Sequence, residues 1–335
     1  MTHHWPTVSI AIPTFNESAN IRRCLDSIFR QKYPGELEII IIDDDSTDDT
    51  VEIVKKYPVV ILRNGNRDLG IGKKIGLDKA KGKYFLFVDA DIDLCGSGWF
   101  EKLITPLEKD PSICSSFTGY YAYPDDKPLN KFITLDFLQR DPLFIWLTPS
   151  LEEVTVEKKS KWLVCKYTQS KMLTSGMCVH RKSLLDKYVS NKHKFMELDT
   201  VAIYVKNGHD LFAYVPNAGM HHPFIDTLTK LSFKRLRNLS NMYFDQKDPR
   251  QWTWINWSSP SDIFKIFIWI VYANSIVLPF LVGLFKSIKH KTWVGIYELP
   301  FTLITTNLLI WVFLSSRNGR RLLTGIFTKT PVVTH

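Results

Sequence analysis

The sequence predicts an α/β fold with a hydrophobic helical region behind it. Three observations carry this. Short β-branched runs alternate with helix-spaced stretches between residues 7 and 88, the pattern of βαβ units and a parallel sheet. Each run ends in polar or acidic residues, as expected where an open sheet binds ligands beyond the carboxyl ends of its strands. After residue 262 the chain becomes strongly apolar.

Residues 7–13 (TVSIAIP) read as the first strand. Residues 18–33 carry Ile21, Leu25, Ile28 and Phe29 at helical spacing, with Ser18 as a candidate N-cap. LEIIII at 37–42 is the nearly continuous apolar run of a strand buried on both faces. A helix is expected over 48–57, a strand at 59–63, a helix over 72–81 and a strand at 84–88. The middle, about 110–195, is broken by Pro111, Pro124, Pro128, Pro142 and Pro149, and the charged segment 150–161 reads as an exposed insertion.

The 335 residues exceed what one small core needs. A net charge of +9 points to an anionic partner: nucleic acid, an anionic membrane surface or phosphorylated ligands. Aromatic residues concentrate after residue 250, which favours a membrane over nucleic acid. The five cysteines are dispersed and form no CxxC pair, against both a disulfide framework and a zinc site. The first residues hold no apolar run of signal-peptide length, so the N-terminal half is expected in the cytosol.

Residues 263–285 and 293–314 each have about the length of a bilayer span. Trp257, Trp269, Trp293 and Trp311 lie near their ends, where interfacial anchors sit. A hairpin of two spanning helices is the favoured reading. The basic stretch from Lys286 to Lys291 opposes it, because a hairpin would put that loop outside. The tail with Arg317, Arg320, Arg321 and Lys329 obeys the positive-inside tendency. A shallow re-entrant or interfacial pair satisfies both basic stretches; a buried soluble hairpin is the remaining alternative.

The stretch YFLFVDADID at 84–93 runs a strand into three carboxylates. Asp89 and Asp91 point to one side in extended chain and repel unless a cation or proton intervenes. Hard oxygen donors suit Mg²⁺ or Mn²⁺, and Asp93 is a third candidate. A solvated, capped turn is the plain alternative. In IIDDDSTDDT, Asp43 and Asp44 stand at a strand end where a carboxylate accepts from a nucleobase or ribose. Ser46, Thr47 and Asp48 are candidate helix caps. Gly70-Ile71-Gly72-Lys73-Lys74 opens a helix whose N–H groups and lysines favour phosphate, or a solvated helix start.

In this order, IPTFNE, IIDDDSTDDT and GIGKKIGLDKAKGKYFLFVDADI resemble the inverting, nucleotide-sugar-dependent glycosyltransferases of family 2. The resemblance implies a GT-A fold, a Rossmann-like mixed α/β sheet, over about 1–240. Its nucleotide half is about 1–110 and its acceptor half about 111–240. A juxtamembrane linker (241–262), a two-helix transmembrane region (263–315) and a basic cytosolic tail (316–335) would follow. The resemblance further implies UDP- or GDP-sugar contacts at Pro13, Thr14, Asn16, Glu17, Asp43, Asp44, Asp89 and Ala90, with Lys73 or Lys74 near the diphosphate. Mg²⁺ or Mn²⁺ would sit on Asp91, with Asp89, Asp93 and His221 as further ligand candidates. Ser175 and Gly176 fall in a stretch resembling the acceptor side.

Where such enzymes carry an adjacent Glu-Asp pair, this chain has Glu197-Leu198-Asp199, so Glu197 and Asp199 are both base candidates, with helix capping as the alternative. Lys234, Arg235 and Arg237 are candidates for a diphosphate or lipid phosphate, or for anionic headgroups. The QxxRW signature of processive synthases is absent, so polymerisation is not expected. Two hydrophobic segments behind a catalytic domain resemble the polyprenyl-phosphate glycosyltransferases, which implies a polyprenyl (dolichyl or undecaprenyl) phosphate acceptor. A lipid-linked surface glycan is the alternative acceptor. An inactive nucleotide-sugar-binding scaffold is the alternative from another class. A membrane and a lipid-linked acceptor are the expected partners; nucleic acid is not, and a homo-oligomer stays open.

Overall fold

The structure, a computed structural model, describes residues 4–173, 177–239, 251–256, 259–317, 319–321 and 324. The chain divides into two compact units, Met1–Tyr121 with Pro149–His222 and Ala122–Thr148 with Pro223–His335.

The first unit is built on a nine-stranded mixed sheet. Its parallel part orders β3 (Val60–Arg63), β2 (Leu37–Asp43), β1 (Val8–Thr14) and β4 (Tyr84–Phe87). The crossovers are α1 (Ile21–Phe29), α2 (Thr50–Val54) and α3 (Leu69–Lys79). Beyond β4 come β9 (Cys178–Arg181), β6 (Ile113–Phe117), β10 (Leu211–Tyr214), β8 (Leu163–Lys166) and β7 (Thr155–Lys158), with only the β6–β10 pair parallel. A two-stranded ladder pairs β5 (Asp93–Leu94) with β11 (Met220–His221). Helices α4 (Trp99–Lys109), α7 (Leu151–Val154), α8 (Lys182–Tyr188) and α9 (Glu197–Lys206) complete the unit. This is the mixed α/β arrangement of a GT-A fold.

The apolar runs explain the sheet. Ile10, Ile12, Ile39, Ile41 and Leu86 pack one continuous core with Leu25 and Ile28 of α1. Alternate residues of the same strands, Ala11 and Ile42, meet α3. A Cβ on Gly76 would stand 2.5 Å from Ala11 Cβ, so only glycine admits so close a helix-strand approach there.

Two local expectations are corrected. Helix α1 starts at Ile21, with Asn20 at its N-cap and no side-chain cap; the Ser18 N–H donates instead to Asp48 (3.1 Å). The charged segment 150–161 is largely exposed, as expected, but it is no insertion. Ser150 caps α7 in a capping box with Glu153, and β7 forms the edge of the sheet against β8. Its Glu157 and Lys158 suit a solvent-facing edge strand.

The second unit is helical: α5 (Pro128–Ile133), α6 (Pro142–Leu147), α10 (Leu228–Leu239), α11 (Pro260–Asn274), α12 (Val277–Lys289), a 3₁₀ turn (Trp293–Tyr297) and α13 (Glu298–Ser315). Leu129, Phe132 and Ile133 pack with Ile225, Leu231, Val294 and Phe301. Glu298 is buried, accepting from Tyr272 Oη (2.9 Å) and Lys286 Nζ (2.6 Å).

The apolar run 263–285 is not one continuous helix. It breaks between α11 and α12, which meet at 83°. Ile276 at the break has a left-handed φ of 59°. Pro279 supplies the physical reason. In a continuous helix it could not donate to the Ser275 carbonyl, and its ring would collide with that carbonyl. The expected loop 286–291 begins as the last turn of α12. Trp269 is no interfacial anchor: it is buried, with Nε1 donating to Thr306 Oγ1 (2.9 Å). Trp257 lies outside the described residues. Trp293–Ser315, 23 residues, is the one described helix long and apolar enough to cross a membrane.

Candidate active site

The loops behind β1 and β2 are tied to each other. Thr14 Oγ1 donates to Asp43 Oδ1 (3.2 Å), and Asp43 also accepts from Ser46 N (3.0 Å) and Ser46 Oγ (2.6 Å). Asn16, at φ 54°, donates its N–H to Ser46 Oγ and accepts from Thr47 N (2.8 Å). Asp43 and Asn16 therefore shape the loop that Pro13 enters. Asp44 is buried and accepts the Arg67 N–H at 2.7 Å. Phe15 and Arg67, neither of them among the contact candidates named above, form a pair beside these loops. Phe15 is 42% exposed, and the Arg67 guanidinium lies 5.1 Å from its ring centre. An exposed aromatic face beside a buried carboxylate suits a stacked base.

The turn after β4 carries the carboxylates. Asp89 and Asp91 remain 42% and 31% exposed at their side chains, with buried Ala90 between them. Burial raises the Glu17 pKa, and Asp91 and Asp89 raise it further. Asp93 differs from its neighbours: it is buried, with Arg23 Nε at 2.9 Å and His221 Nδ1 at 3.4 Å. The β5–β11 register sets His221 opposite Asp93. Asp93 and His221 thus brace the turn from behind. The histidine beside Asp91 is the next residue, His222, whose Nε2 lies 3.4 Å from Asp91 Oδ2. Alternation along an extended chain explains the exchange: neighbours face opposite ways. Among the described residues no three His, Cys, Asp or Glu side chains already converge as a metal cage.

Helix α3 delivers Lys73. Its Nζ is 3.8 Å from Asp89 Oδ1, 3.5 Å from Glu197 Oε2 and 3.5 Å from the centre of the Phe87 ring. Lys74 pairs with Asp78 one turn along the helix. The expected phosphate cradle at the start of α3 is corrected. Asp68 caps the helix and accepts from Gly70 N (2.9 Å) and Ile71 N (3.1 Å), while Lys194 holds its other oxygen (2.6 Å). Lys73, not those amides, is what α3 brings to the carboxylates.

Glu197 opens α9. Its side chain is 13% exposed, and Oε1 is buried without a hydrogen-bond partner. Burial pushes its pKa up to about 8; the Lys73 charge opposes this and Asp89 adds to it. Asp199, half-buried, sits two residues further along the helix, and residues so spaced do not share a helix face. Only Glu197 meets Lys73. Ser175 and Gly176 lie outside the described residues. Lys234, Arg235 and Arg237 belong to α10 of the second unit. There Lys234 lies over the Phe224 ring (3.4 Å), and Arg235 pairs with Asp141.

The family model for glycosyl transferase family 2 matches residues 9–189, more than half of the chain. The chain belongs to glycosyltransferase family 2. It is 34% identical over 143 residues to TuaG of Bacillus subtilis, a putative teichuronic acid biosynthesis glycosyltransferase, covering 40% of this chain and 54% of TuaG. It is 36% identical over 108 residues to YibD of Escherichia coli, an uncharacterized glycosyltransferase, covering 31% of each. The chain thus spans between a third and about half of these relatives' length. Among solved structures it is similar to the mannosyltransferase PcManGT of Pyrobaculum calidifontis in complex with GDP-Man and Mn²⁺. Identity is 16% and the TM-score 0.49, over 98% of this chain and 81% of that one.

Proposed function

We propose that this family 2 protein transfers a sugar from a nucleoside diphosphate sugar, with inversion, to a membrane-held acceptor. The observation that carries the reading is Lys73 Nζ lying between Asp89 (3.8 Å) and Glu197 (3.5 Å). A cation for the leaving diphosphate and a base for the acceptor then share one centre. Phe15 and Arg67 stack the base, and Asp44 faces the nucleoside. The acceptor oxygen attacks the anomeric carbon on the face opposite the diphosphate. The bond from that carbon to the phosphoryl oxygen breaks, the nucleoside diphosphate leaves with the electron pair, and Glu197 takes the acceptor's proton.

The donor set fits a divalent cation. The Asp91 and Asp89 side chains stay partly exposed, and the His222 imidazole stands 3.4 Å from Asp91. Oxygens with one imidazole suit Mn²⁺ and, less selectively, Mg²⁺. When bound there, such an ion neutralises charge on the departing diphosphate.

The acceptor reading rests on Glu197. A phosphate acceptor is already ionised and needs little help, whereas a hydroxyl needs a base. A carboxylate poised near neutrality therefore favours a hydroxyl of a lipid-linked glycan over the polyprenyl phosphate that sequence resemblance suggested. The relative named for teichuronic acid biosynthesis supports the same preference. The membrane reading rests on the exposed apolar side chains of α11 and α12, among them Phe264, Phe267, Val271 and Leu281. At 15 and 13 residues these helices are about 22 and 20 Å long, too short to cross ~30 Å of hydrocarbon. We favour a re-entrant wedge, which keeps Lys286, Lys289 and Lys291 on the side they enter from.

The test measures UDP or GDP release from a panel of donor sugars, with Mn²⁺ or EDTA. Lipid-linked glycan and polyprenyl phosphate are supplied in parallel. Turnover with the glycan alone supports the reading. Turnover with polyprenyl phosphate alone restores the other acceptor, and release from no donor refutes the enzyme.

A further inference from the structure

The second unit holds a cavity of about 270 Å³ that is lined by its own residues. Phe132, Ile145 and Phe285 give it apolar walls, and Arg140, Lys286 and Lys289 line it as well. Two of these cations are already matched. Arg140 donates to both oxygens of Asp136 (3.0 and 2.7 Å), and Lys286 pairs with Glu298 at 2.6 Å. Burial and the neighbouring Lys289 and Lys286 lower the His290 pKa, so this lining residue adds no charge. Lys289 makes no ion pair among the described residues and stands exposed at the end of α12. The cavity therefore offers one uncompensated positive charge set in apolar walls. Lysines in a last helical turn ordinarily balance the helix dipole, but that role calls for no cavity beside them.

The surroundings extend the apolar character outward. On α12, Leu281, Phe285 and Ile288 are 52%, 63% and 78% exposed. We infer that this cavity binds the phosphodiester of an anionic phospholipid, with Lys289 on the phosphate and an acyl chain along Phe285 and the outer face of α12. One negative charge matches Lys289, the lining cation without an ion pair among the described residues, and the apolar walls exclude free phosphate or nucleotide as the preferred occupant. The inference rests on the reading that the helical unit meets a membrane.

The experiment uses the full chain in a non-ionic detergent with short-chain fluorescent phosphatidylglycerol and phosphatidylcholine as probes. The expected result is tighter binding of phosphatidylglycerol by about fivefold or more, the weight of one lysine beside an anionic lipid. Lys289→Glu should abolish the preference and Phe285→Ser should weaken both probes. Lys56→Glu, on the exposed surface of the first unit, should change neither. Equal binding of the two probes by the wild-type chain overturns the site. So does an equal loss in Lys289→Glu and Lys56→Glu, or complete displacement of the lipid by millimolar glycerol 1-phosphate. Flotation with phosphatidylcholine vesicles tests the membrane reading separately. A chain that floats but shows no lipid preference loses this site alone.

Discussion

Arg23 grips the acidic turn from behind: Nε lies 2.9 Å from Asp93 Oδ1, and Nη2 donates to the Asp91 carbonyl oxygen at 3.0 Å. A residue of α1, far away in sequence, thereby fixes the backbone that aims Asp91. Arg23→Ala should leave the fold intact and free that turn. The Mn²⁺ concentration for half-maximal activity should rise about tenfold or more, the cost commonly seen when a supporting partner of a metal ligand is removed. Calorimetric titration of Mn²⁺ into the nucleotide-loaded protein checks this without turnover. Unchanged Mn²⁺ affinity would show that the turn holds itself.

The two adjacent histidines should behave differently. His222→Ala should weaken Mn²⁺ binding by tenfold or more with little loss of stability. His221→Ala removes a buried partner of Asp93 and should lower the urea midpoint by roughly 1–3 kcal/mol equivalent. The reverse pattern would restore His221 as the ligand.

Glu197→Gln should reduce kcat by about 10²–10⁴-fold, the usual weight of a general base, with a smaller effect on donor KM. Wild-type kcat should climb as pH rises through about 8, and the variant's should not. The stability sign is independent of catalysis. Folding raises this carboxyl's pKa, so its contribution is intact below the unfolded value and lost as pH rises through about 8. Between pH 5 and pH 9 the melting temperature of Glu197→Gln should therefore gain on that of wild type. A gap that stays constant with pH would contradict the buried, raised carboxyl.

Phe15→Ala tests base stacking. Losing one stacked base costs about 1–3 kcal/mol, so donor KM should rise roughly 5- to 150-fold with kcat little changed. Phe15→Tyr should retain most of the affinity. A fall in kcat at constant KM would move Phe15 out of the nucleoside pocket.

Gly76→Ala sets two effects against each other. Alanine gains up to about 1 kcal/mol in helix propensity. The new Cβ would meet Ala11 Cβ at 2.5 Å, and overpacking typically costs about 1–3 kcal/mol. Net destabilisation is expected in urea; a stabilised variant would show that α3 can lift away from the sheet.

The parallel strands through β4 and the polar residues behind each were legible, because buried parallel strands and their polar ends are written contiguously. What escaped reading depends on pairings across the chain. No local pattern tells that Asp93 faces Arg23, or that His222 lies beside Asp91. The Asp68 cap of α3 is written as an Asp-x-Gly start, but the glycines and lysines that follow equally suit a phosphate site. The break in 263–285 is also written, at Pro279, inside a run whose length and apolar character are otherwise those of a span. Phe15 and Arg67 left no signal, since an exposed aromatic and a loop arginine are ordinary until they face each other.

The second unit is assembled from two separate stretches, Ala122–Thr148 and Pro223–His335. This has a practical consequence for anyone seeking a smaller, more tractable enzyme. Cutting the chain after His222 removes Ile225, Leu231, Val294 and Phe301 but leaves Leu129, Phe132 and Ile133, which pack against them. The shortened protein would carry an orphaned sticky helix in its middle and should aggregate. A soluble catalytic unit needs two excisions, with the span from Ala122 to Thr148 replaced by a short polar linker.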